Sequence, residues 1–108
     1  NFPLYNQYSV NVGDLCKLKG ESMVYVIAVF RSRNETLYLA NMLKSSGHRI
    51  TVINTPKEAG QACGISVKFD ELNISSVKKC LASRPFRAFV GFFRVKVVQN
   101  RLQLERIS

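Results

Sequence analysis

VYVIAVF, residues Val24–Phe30, is apolar on both faces of an extended chain and rich in β-branched and aromatic side chains. Such a run is typical of a central strand that is covered on at least one side. The run ends at Arg31, and Ser32 followed by Glu35 three residues later is typical of a helix N-terminus. We therefore predict that a helix follows this first strand directly.

The rest of the chain predicts an alternation of strands and helices around that run. The first helix is expected to bury Leu37, Ala40, Met42 and Leu43 and to end at Gly47. Further strands are expected over residues 48–54, 65–69, 86–98 and 101–107, and a second helix over residues 74–83. In the long strand over residues 86–98, the pattern predicts that Phe89, Phe93, Val95 and Val97 share a face.

The order β-α-β-β-α-β predicts an α+β fold, a ferredoxin-like sandwich in which two helices cover one face of an antiparallel sheet. An extra C-terminal hairpin strand is expected after the turn Gln99-Asn100. With 108 residues, the chain has room for one hydrophobic core, and we assign residues 23–108 to a single ferredoxin-like domain. Residues 1–22 are expected to be an N-terminal extension, either added for expression or contributing one more strand.

The apolar runs and the cysteines limit the classes of function. The longest apolar run is far shorter than the roughly 20 residues that span a bilayer, so we expect no membrane partner. The three cysteines, Cys16, Cys63 and Cys80, cannot all pair within one chain, and their spacing matches no zinc signature. We therefore expect no metal, no cofactor and a cytoplasmic location.

The net charge of +9 is concentrated near the C-terminus, where residues 78–108 hold eight basic residues against Glu105 alone. Such a cluster attracts anionic partners. The candidate anion-binding residues are Lys78, Lys79, Arg84, Arg87, Arg94 and Lys96. The segment AFVGF, residues 88–92, also partly resembles an RNA-recognition signature, in which aromatic side chains stack on bases. The alternative is that these phenylalanines pack in the core or in the interface of a homodimer.

TPKEAGQACG, residues 55–64, lies between two predicted strands and carries Cys63. A free thiol is mostly protonated at neutral pH, so a reactive cysteine needs amide dipoles or cations beside its sulfur. Gly60 and Gly64 would let backbone N–H groups approach it. Lys57 and His48 are the candidate cations. The structural alternative is that Cys63 is a small buried hydrophobe.

Three further residues of this loop have expected roles. Thr55 and Pro56 are expected to set the geometry with which the chain enters the loop, since proline restricts φ. Glu58 is expected to accept a proton from the thiol or, alternatively, to pair with Lys57.

The segment from residue 24 to about residue 95 resembles a family of small bacterial proteins that are selenium/sulfur-carrier-like. The resemblance lies in the opening strand, the helix end at Gly47, and the motif Thr-Pro-Lys/Arg-Glu followed by Cys-Gly, here residues 55–58 and 63–64. It implies a carrier of sulfur or selenium, or a thiol-based adaptor, in which Cys63 bears a persulfide. It also implies donor and acceptor proteins as partners. We expect no turnover by the chain itself, because no general acid/base set accompanies the thiol. Binding of RNA or another polyanion through residues 78–106 is the alternative function.

Overall fold

Five β-strands and two α-helices form the part of the chain that the structure describes. The computed structural model describes residues 23–60 and 62–108. The strands are β1 (Met23–Phe30), β2 (Ile50–Asn54), β3 (Ile65–Phe69), β4 (Phe89–Val98) and β5 (Arg101–Arg106), and the helices are α1 (Arg33–Ser45) and α2 (Ile74–Ala82). The predicted α+β class is confirmed. The expected extension, residues 1–22 with Cys16, lies outside the described residues.

The five strands form one sheet in the order β2-β3-β1-β4-β5, and all neighbouring strands are antiparallel. β1 lies in the middle of this sheet, which explains why its sequence is apolar on both faces. Its residues from Val26 to Phe30 have no exposed surface. The antiparallel sheet and the C-terminal hairpin strand are confirmed, whereas the ferredoxin-like designation stays a prediction.

Each face of the sheet carries its own apolar cluster. On one face, Leu39 and Leu43 of α1 and Val77 of α2 pack with Val26 and Val67 of the sheet, so both helices lie on the same side. On the other face, Ile27, Val29, Phe93 and Val95 pack together with Ala59 from the loop between β2 and β3. Side chains of β1 contribute to both clusters because successive side chains of a strand point to opposite faces.

The buried face of α1 differs from the predicted one. The residues that α1 buries are Thr36, Leu39, Ala40 and Leu43. Leu37, expected in the core, is 42% exposed. That expectation was wrong because the buried threonine takes the core-facing position that the sequence pattern assigned to a neighbouring leucine.

The ends of α1 have well-defined caps. The backbone N–H of Glu35 donates to the Ser32 hydroxyl at 3.2 Å, which confirms Ser32 as the N-cap. At the other end, Gly47 adopts φ +86°, and the N–H groups of Gly47 and His48 donate to carbonyls in the last turn. This is the Schellman arrangement, in which a glycine tolerates the left-handed conformation that ends the helix.

β4 begins later than expected and contains an irregularity. It starts at Phe89, and the pairing with β1 shifts register between Val29 and Phe30. As a result, Phe89 packs on the helix side of the sheet with Phe92, whereas Phe93 packs on the opposite side. The expectation that Phe89 and Phe93 share a face was wrong, because a register shift interrupts the strict alternation of side chains.

The hairpin between β4 and β5 confirms the predicted turn. Gln99 and Asn100 have φ values of 51° and 65°, and Val98 pairs with Arg101 across them. Positive φ at both central residues is the signature of a type I′ turn, whose twist matches that of the flanking strands. β5 therefore covers the edge of β4. Within the described residues, no helix is long and apolar enough to cross a membrane.

Candidate functional site

The loop that carries Cys63 connects β2 to β3 and lies against the end of β1. The backbone N–H of Cys63 donates to the carbonyl of Phe30 at 3.1 Å. Farther back in the loop, Ala59 is buried in the apolar cluster on the face opposite the helices. These two attachments hold the cysteine beside the connection between β1 and α1.

The base of the loop is closed by Thr55, Gly64 and Ser66. The N–H of Thr55 donates to the carbonyl of Gly64 at 2.9 Å, and the hydroxyl groups of Thr55 and Ser66 lie 2.6 Å apart. Gly64 adopts φ +101°, a conformation that residues with a Cβ rarely adopt. Pro56 has φ −62° and its carbonyl accepts from the N–H of Ala59, and the role of Thr55 and Pro56 in setting the loop entry stays a prediction.

The sulfur of Cys63 has two polar neighbours. Its Sγ lies 3.4 Å from the hydroxyl oxygen of Thr36 and 3.4 Å from the carbonyl oxygen of Ile65. Thr36 is fully buried in α1, whereas Cys63 is half-buried. The thiol is therefore neither sealed in the core nor fully open to solvent.

The contacts of Thr36 allow two arrangements of protons around the sulfur. The Thr36 hydroxyl also lies 3.0 Å from the carbonyl of Ser32, to which it donates when the thiol itself donates to Ile65. When the thiol loses its proton, the same hydroxyl can turn and donate to the sulfur, because a hydroxyl rotates to suit its acceptor. Thr36 belongs to the N-terminal part of α1, where the helix dipole is positive and favours a negative charge.

Three of the groups that the sequence suggested as helpers of the thiol, Lys57, Glu58 and Gly60, make other contacts or face solvent. Among the described residues, no backbone N–H donates a hydrogen bond to the Cys63 sulfur. The N–H of Gly60 donates instead to the carbonyl of Lys57, at 3.0 Å. The side chains of Lys57 and Glu58 are exposed.

His48 does not lie beside the sulfur in this fold. It follows the C-terminal end of α1, a helix of 13 residues, whereas the sulfur contacts Thr36 near the helix start. Thr36 precedes the last residue of α1, Ser45, by nine positions, which span about 14 Å along the helix. The structure thus places His48 and the sulfur of Cys63 towards opposite ends of α1, which does not favour the suggestion that His48 supplies positive charge to Cys63.

Glu35, which the sequence indicated only as part of a helix N-terminus, binds the backbone at the same end of the sheet. The carboxylate oxygens of Glu35 accept from the N–H groups of Arg87 and Ala88 at 3.0 and 2.9 Å. The N–H of Arg31 donates to the carbonyl of Ala88 at 2.8 Å. The segment before β4 is therefore bound to the start of α1, close to the attachment of the Cys63 loop at Phe30.

The predicted anion-binding residues are spread over three parts of the fold. Lys78 and Lys79 lie exposed on α2, Arg84 and Arg87 lie exposed between α2 and β4, and Arg94 and Lys96 lie on β4.

Arg94 has carboxylate partners of its own. It contacts Glu71 through two hydrogen bonds and Glu105 at 2.9 Å. The hydrogen bond to Glu71 is the main reason that the pKa of Arg94 lies above its usual range, and the same bond lowers the pKa of Glu71. Arg94 is therefore engaged within the fold rather than available to a ligand.

The aromatic side chains of β4 pack inside the protein. Phe92 is 2% exposed and Phe93 is 9% exposed, on opposite faces of the sheet. Phe89 packs edge-on against Phe92, with ring centroids 5.0 Å apart. The core interpretation of these phenylalanines is confirmed, and they are not presented for stacking on bases.

Cys80 is a free, half-buried thiol that packs from α2 against the helix-side cluster, as expected for a core residue. Within residues 23–60 and 62–108, no three His, Cys, Asp or Glu side chains are grouped so as to hold a metal ion. A cleft of about 540 Å³ lies beside the starts of β1 and β2, at the end of the sheet away from Cys63.

The comparison with protein families gives one match. The model of the family described as "Putative Se/S carrier protein-like" matches residues 25–87. No curated protein and no solved structure matches the chain significantly. The matched segment runs from β1 to the residue whose N–H is bound by Glu35, so it includes Cys63, Thr36 and the whole loop between β2 and β3.

Proposed function

The chain belongs to the Se/S-carrier-like family, since the family model covers more than half of its residues. From this membership we propose that Cys63 carries sulfur as a persulfide, or selenium as the corresponding selenium compound. The donor and the acceptor are other proteins. The chain itself acts as a carrier or adaptor without turnover of its own, and it needs no cofactor.

The proposed transfer is an exchange between sulfur atoms. The Cys63 thiolate attacks the outer sulfur of a donor persulfide, forming the new S–S bond while the donor's own S–S bond breaks and the donor leaves as a thiolate. An acceptor thiolate then attacks the outer sulfur on Cys63 and releases the Cys63 thiolate. Each step moves one sulfur atom and needs no oxidant or reductant, because one S–S bond is made for each one broken.

The observation that carries this proposal is the contact between Thr36 and Cys63. A carrier needs a thiolate that is reachable by its partner and that has a hydrogen-bond donor to stabilise the charge. The half-buried sulfur lies 3.4 Å from a buried hydroxyl in the positive end of α1. The same hydroxyl is available to a Cys63 persulfide, which is also anionic after it loses its proton.

The proposal extends to the cellular location and to the fold. We propose the bacterial cytoplasm, where reducing conditions keep thiols such as those of Cys63 and Cys80 free. We also propose that β1 to β4 with the two helices form a ferredoxin-like sandwich, to which β5 is an addition. The strand order β2-β3-β1-β4 and the packing of both helices on one face support this description.

The test is to load the protein with sulfur and to locate the added atom. After incubation with a neutral organic persulfide donor, intact-protein mass spectrometry should show a gain of one sulfur atom, and peptide mapping should place it on Cys63. A Cys16→Ser/Cys80→Ser variant, which keeps Cys63 alone, should load as the wild type does. Loading that persists in a Cys63→Ser variant at the wild-type level would contradict the proposal.

A further inference from the structure

We infer that four arginines around the start of α1 form a docking surface for an acidic partner protein that exchanges sulfur with Cys63. We call this surface the arginine rim and define it as Arg31, Arg33, Arg84 and Arg87. The inference rests on the proposed function, because it names the class of partner that the carrier would meet. It adds where that partner binds and which charge the partner presents.

Backbone hydrogen bonds hold the arginine rim beside the Cys63 loop. The N–H of Cys63 donates to the carbonyl of Phe30. The backbone N–H of Arg31, which follows Phe30 in the chain, donates to the carbonyl of Ala88. Glu35 binds the N–H of Arg87 and that of Ala88, and Arg33 is the first residue of α1. The loop with the sulfur, the start of α1 and the segment before β4 are thus attached to one another at one end of the sheet.

The charged groups of the arginine rim lie at the surface, where that of Arg84 also donates a hydrogen bond to the Tyr38 hydroxyl. All four are exposed. Within the described part of the chain, none of the four has a carboxylate oxygen within 4.0 Å, whereas Arg94 has two such partners. Glu35, the acidic residue among them, accepts hydrogen bonds from two backbone amides. A surface with such an excess of positive charge attracts acidic partners and increases the rate at which they associate.

A cleft of about 300 Å³ lies within the arginine rim and has room for an apolar side chain of the partner. The residues that line it are Asn34, Glu35, Tyr38, Arg84, Pro85 and Phe86. The guanidinium of Arg84 lies 4.5 Å from the centre of the Tyr38 ring, and the neighbouring Leu37 is exposed. Interfaces typically combine such an aromatic and arginine anchor region with a charged rim. The partner segment that fits is therefore acidic, with one aromatic or large aliphatic side chain.

The distribution of aromatic residues favours a protein partner over RNA. Single-stranded RNA is bound by basic residues together with aromatic faces that stack on its bases. The phenylalanines of β4 pack in the two clusters, so they offer no faces on which bases can stack. The positive charges of the arginine rim also lie at the end of the sheet where the Cys63 loop is attached, rather than along a sheet face.

The test uses a fluorescently labelled peptide with a central phenylalanine flanked by glutamates, and measures its binding to the full chain by fluorescence anisotropy at low salt. The rim variant is Arg31→Glu/Arg33→Glu/Arg87→Glu. The matched control is Lys44→Glu/Arg49→Glu/Arg101→Glu, which changes the net charge equally at exposed positions near the other end of the sheet. We expect the rim variant to weaken binding by about tenfold or more and the control by less than about threefold.

Two results would overturn the inference. One is an equal loss of affinity in the rim variant and in the control, which would mean that only the net charge matters. The other is a single-stranded RNA of the same charge that binds at the arginine rim more tightly than the peptide does.

Sulfur loading separates this inference from the proposed function. A neutral small-molecule donor does not dock on the arginine rim, so the rim variant should reach the same final loading of Cys63 as the wild type does. If the wild type loads sulfur but the peptide does not bind at the rim, the docking inference fails and the carrier function stands. If the wild type does not load sulfur, the carrier function fails whatever the peptide does.

Discussion

Thr36 connects the start of α1 to the sulfur of Cys63, and its hydroxyl is the donor on which the proposed chemistry depends. It lies 3.4 Å from the sulfur and 3.0 Å from the carbonyl of Ser32. Nothing in the local sequence marks Thr36, because a threonine in the first turns of a helix usually bonds to its own backbone. Its partner is 27 positions away along the chain. The one sequence signal for this contact is that Thr36 is a polar residue on the buried face of α1. That signal can be recognised only when it is known which face of the helix is buried.

Replacing Thr36 with valine should slow the reaction of Cys63 with iodoacetamide at neutral pH. Valine keeps the shape of threonine but removes the hydroxyl that can donate to the thiolate. A hydrogen bond to a charged group contributes about 1.5–3 kcal/mol, and the greater nucleophilicity of the less stabilised thiolate offsets part of the loss, so the alkylation rate should fall about fivefold. The measurement is carried out in the Cys16→Ser/Cys80→Ser background, so that a single thiol reacts.

A Thr36→Ser variant is the control, because it keeps the hydroxyl while removing a methyl group. It should react at nearly the wild-type rate. Equal rates for Thr36→Val and the wild type, with both proteins folded, would show that the hydroxyl does not stabilise the thiolate.

At the scale of elements, two glutamate side chains attach the helices to strand β4 and to the segment before it. Glu35 of α1 binds the backbone just before β4, and Glu71, which precedes α2, pairs with Arg94 of β4. The sequence indicated Ser32 and Glu35 as residues of a helix N-terminus, and the Ser32 hydroxyl does cap α1. The carboxylate of Glu35 instead binds N–H groups more than 50 positions away, which explains why β4 begins at Phe89 rather than earlier.

The pairing of Glu71 with Arg94 predicts a loss of stability in acid. Arg94 lowers the pKa of Glu71 below its ordinary value of 4.5, so the folded protein holds this carboxyl ionised more strongly than the unfolded chain does. The unfolded state then binds more protons, and the contribution of the pair is fully present above about pH 4.5 and is lost as the pH falls through the lowered pKa. The contribution is small because both side chains are partly exposed.

Urea unfolding between about pH 3 and about pH 6 measures this effect. A Glu71→Gln variant should be less stable than the wild type near pH 6, and the difference should shrink as the pH is lowered. Glu58→Gln, at an exposed position in the loop, is the control and should follow the wild type across the range. A difference between Glu71→Gln and the wild type that stays constant with pH would show that the charge of Glu71 is not involved.

At the scale of the whole molecule, the sheet separates two apolar clusters that share β1. Ile27 lies in the cluster opposite the helices and Leu39 lies in the cluster beneath them, and both are fully buried. Side chains on opposite faces of a sheet have few common neighbours. The two clusters should therefore contribute to stability independently.

The double variant Ile27→Val/Leu39→Ala tests this independence by urea unfolding. Ile27→Val should lower the free energy of unfolding by about 1 kcal/mol and Leu39→Ala by about 2–5 kcal/mol. The double variant should lose the sum of the two within about 0.5 kcal/mol. A deviation of more than about 1 kcal/mol would show that the clusters are coupled through β1.

The sequence by itself determined the strands and helices, the hairpin turn and the loop that carries the cysteine. Each of these depends on residues close together in the chain: the two-faced apolar run of β1, the glycine after α1, and the Gln99-Asn100 turn with positive φ. Local periodicity, capping and turn geometry act over a few residues, so they can be recognised without knowing the fold.

Only the tertiary structure decided which side chains meet. The contact of Thr36 with Cys63, the binding of the backbone before β4 by Glu35, and the grouping of the arginine rim all join positions far apart in the chain. The register shift in β4 likewise changed which face Phe89 occupies. These contacts depend on the rotation of a helix and on the pairing of strands, which result from packing the whole core at once rather than from any single segment.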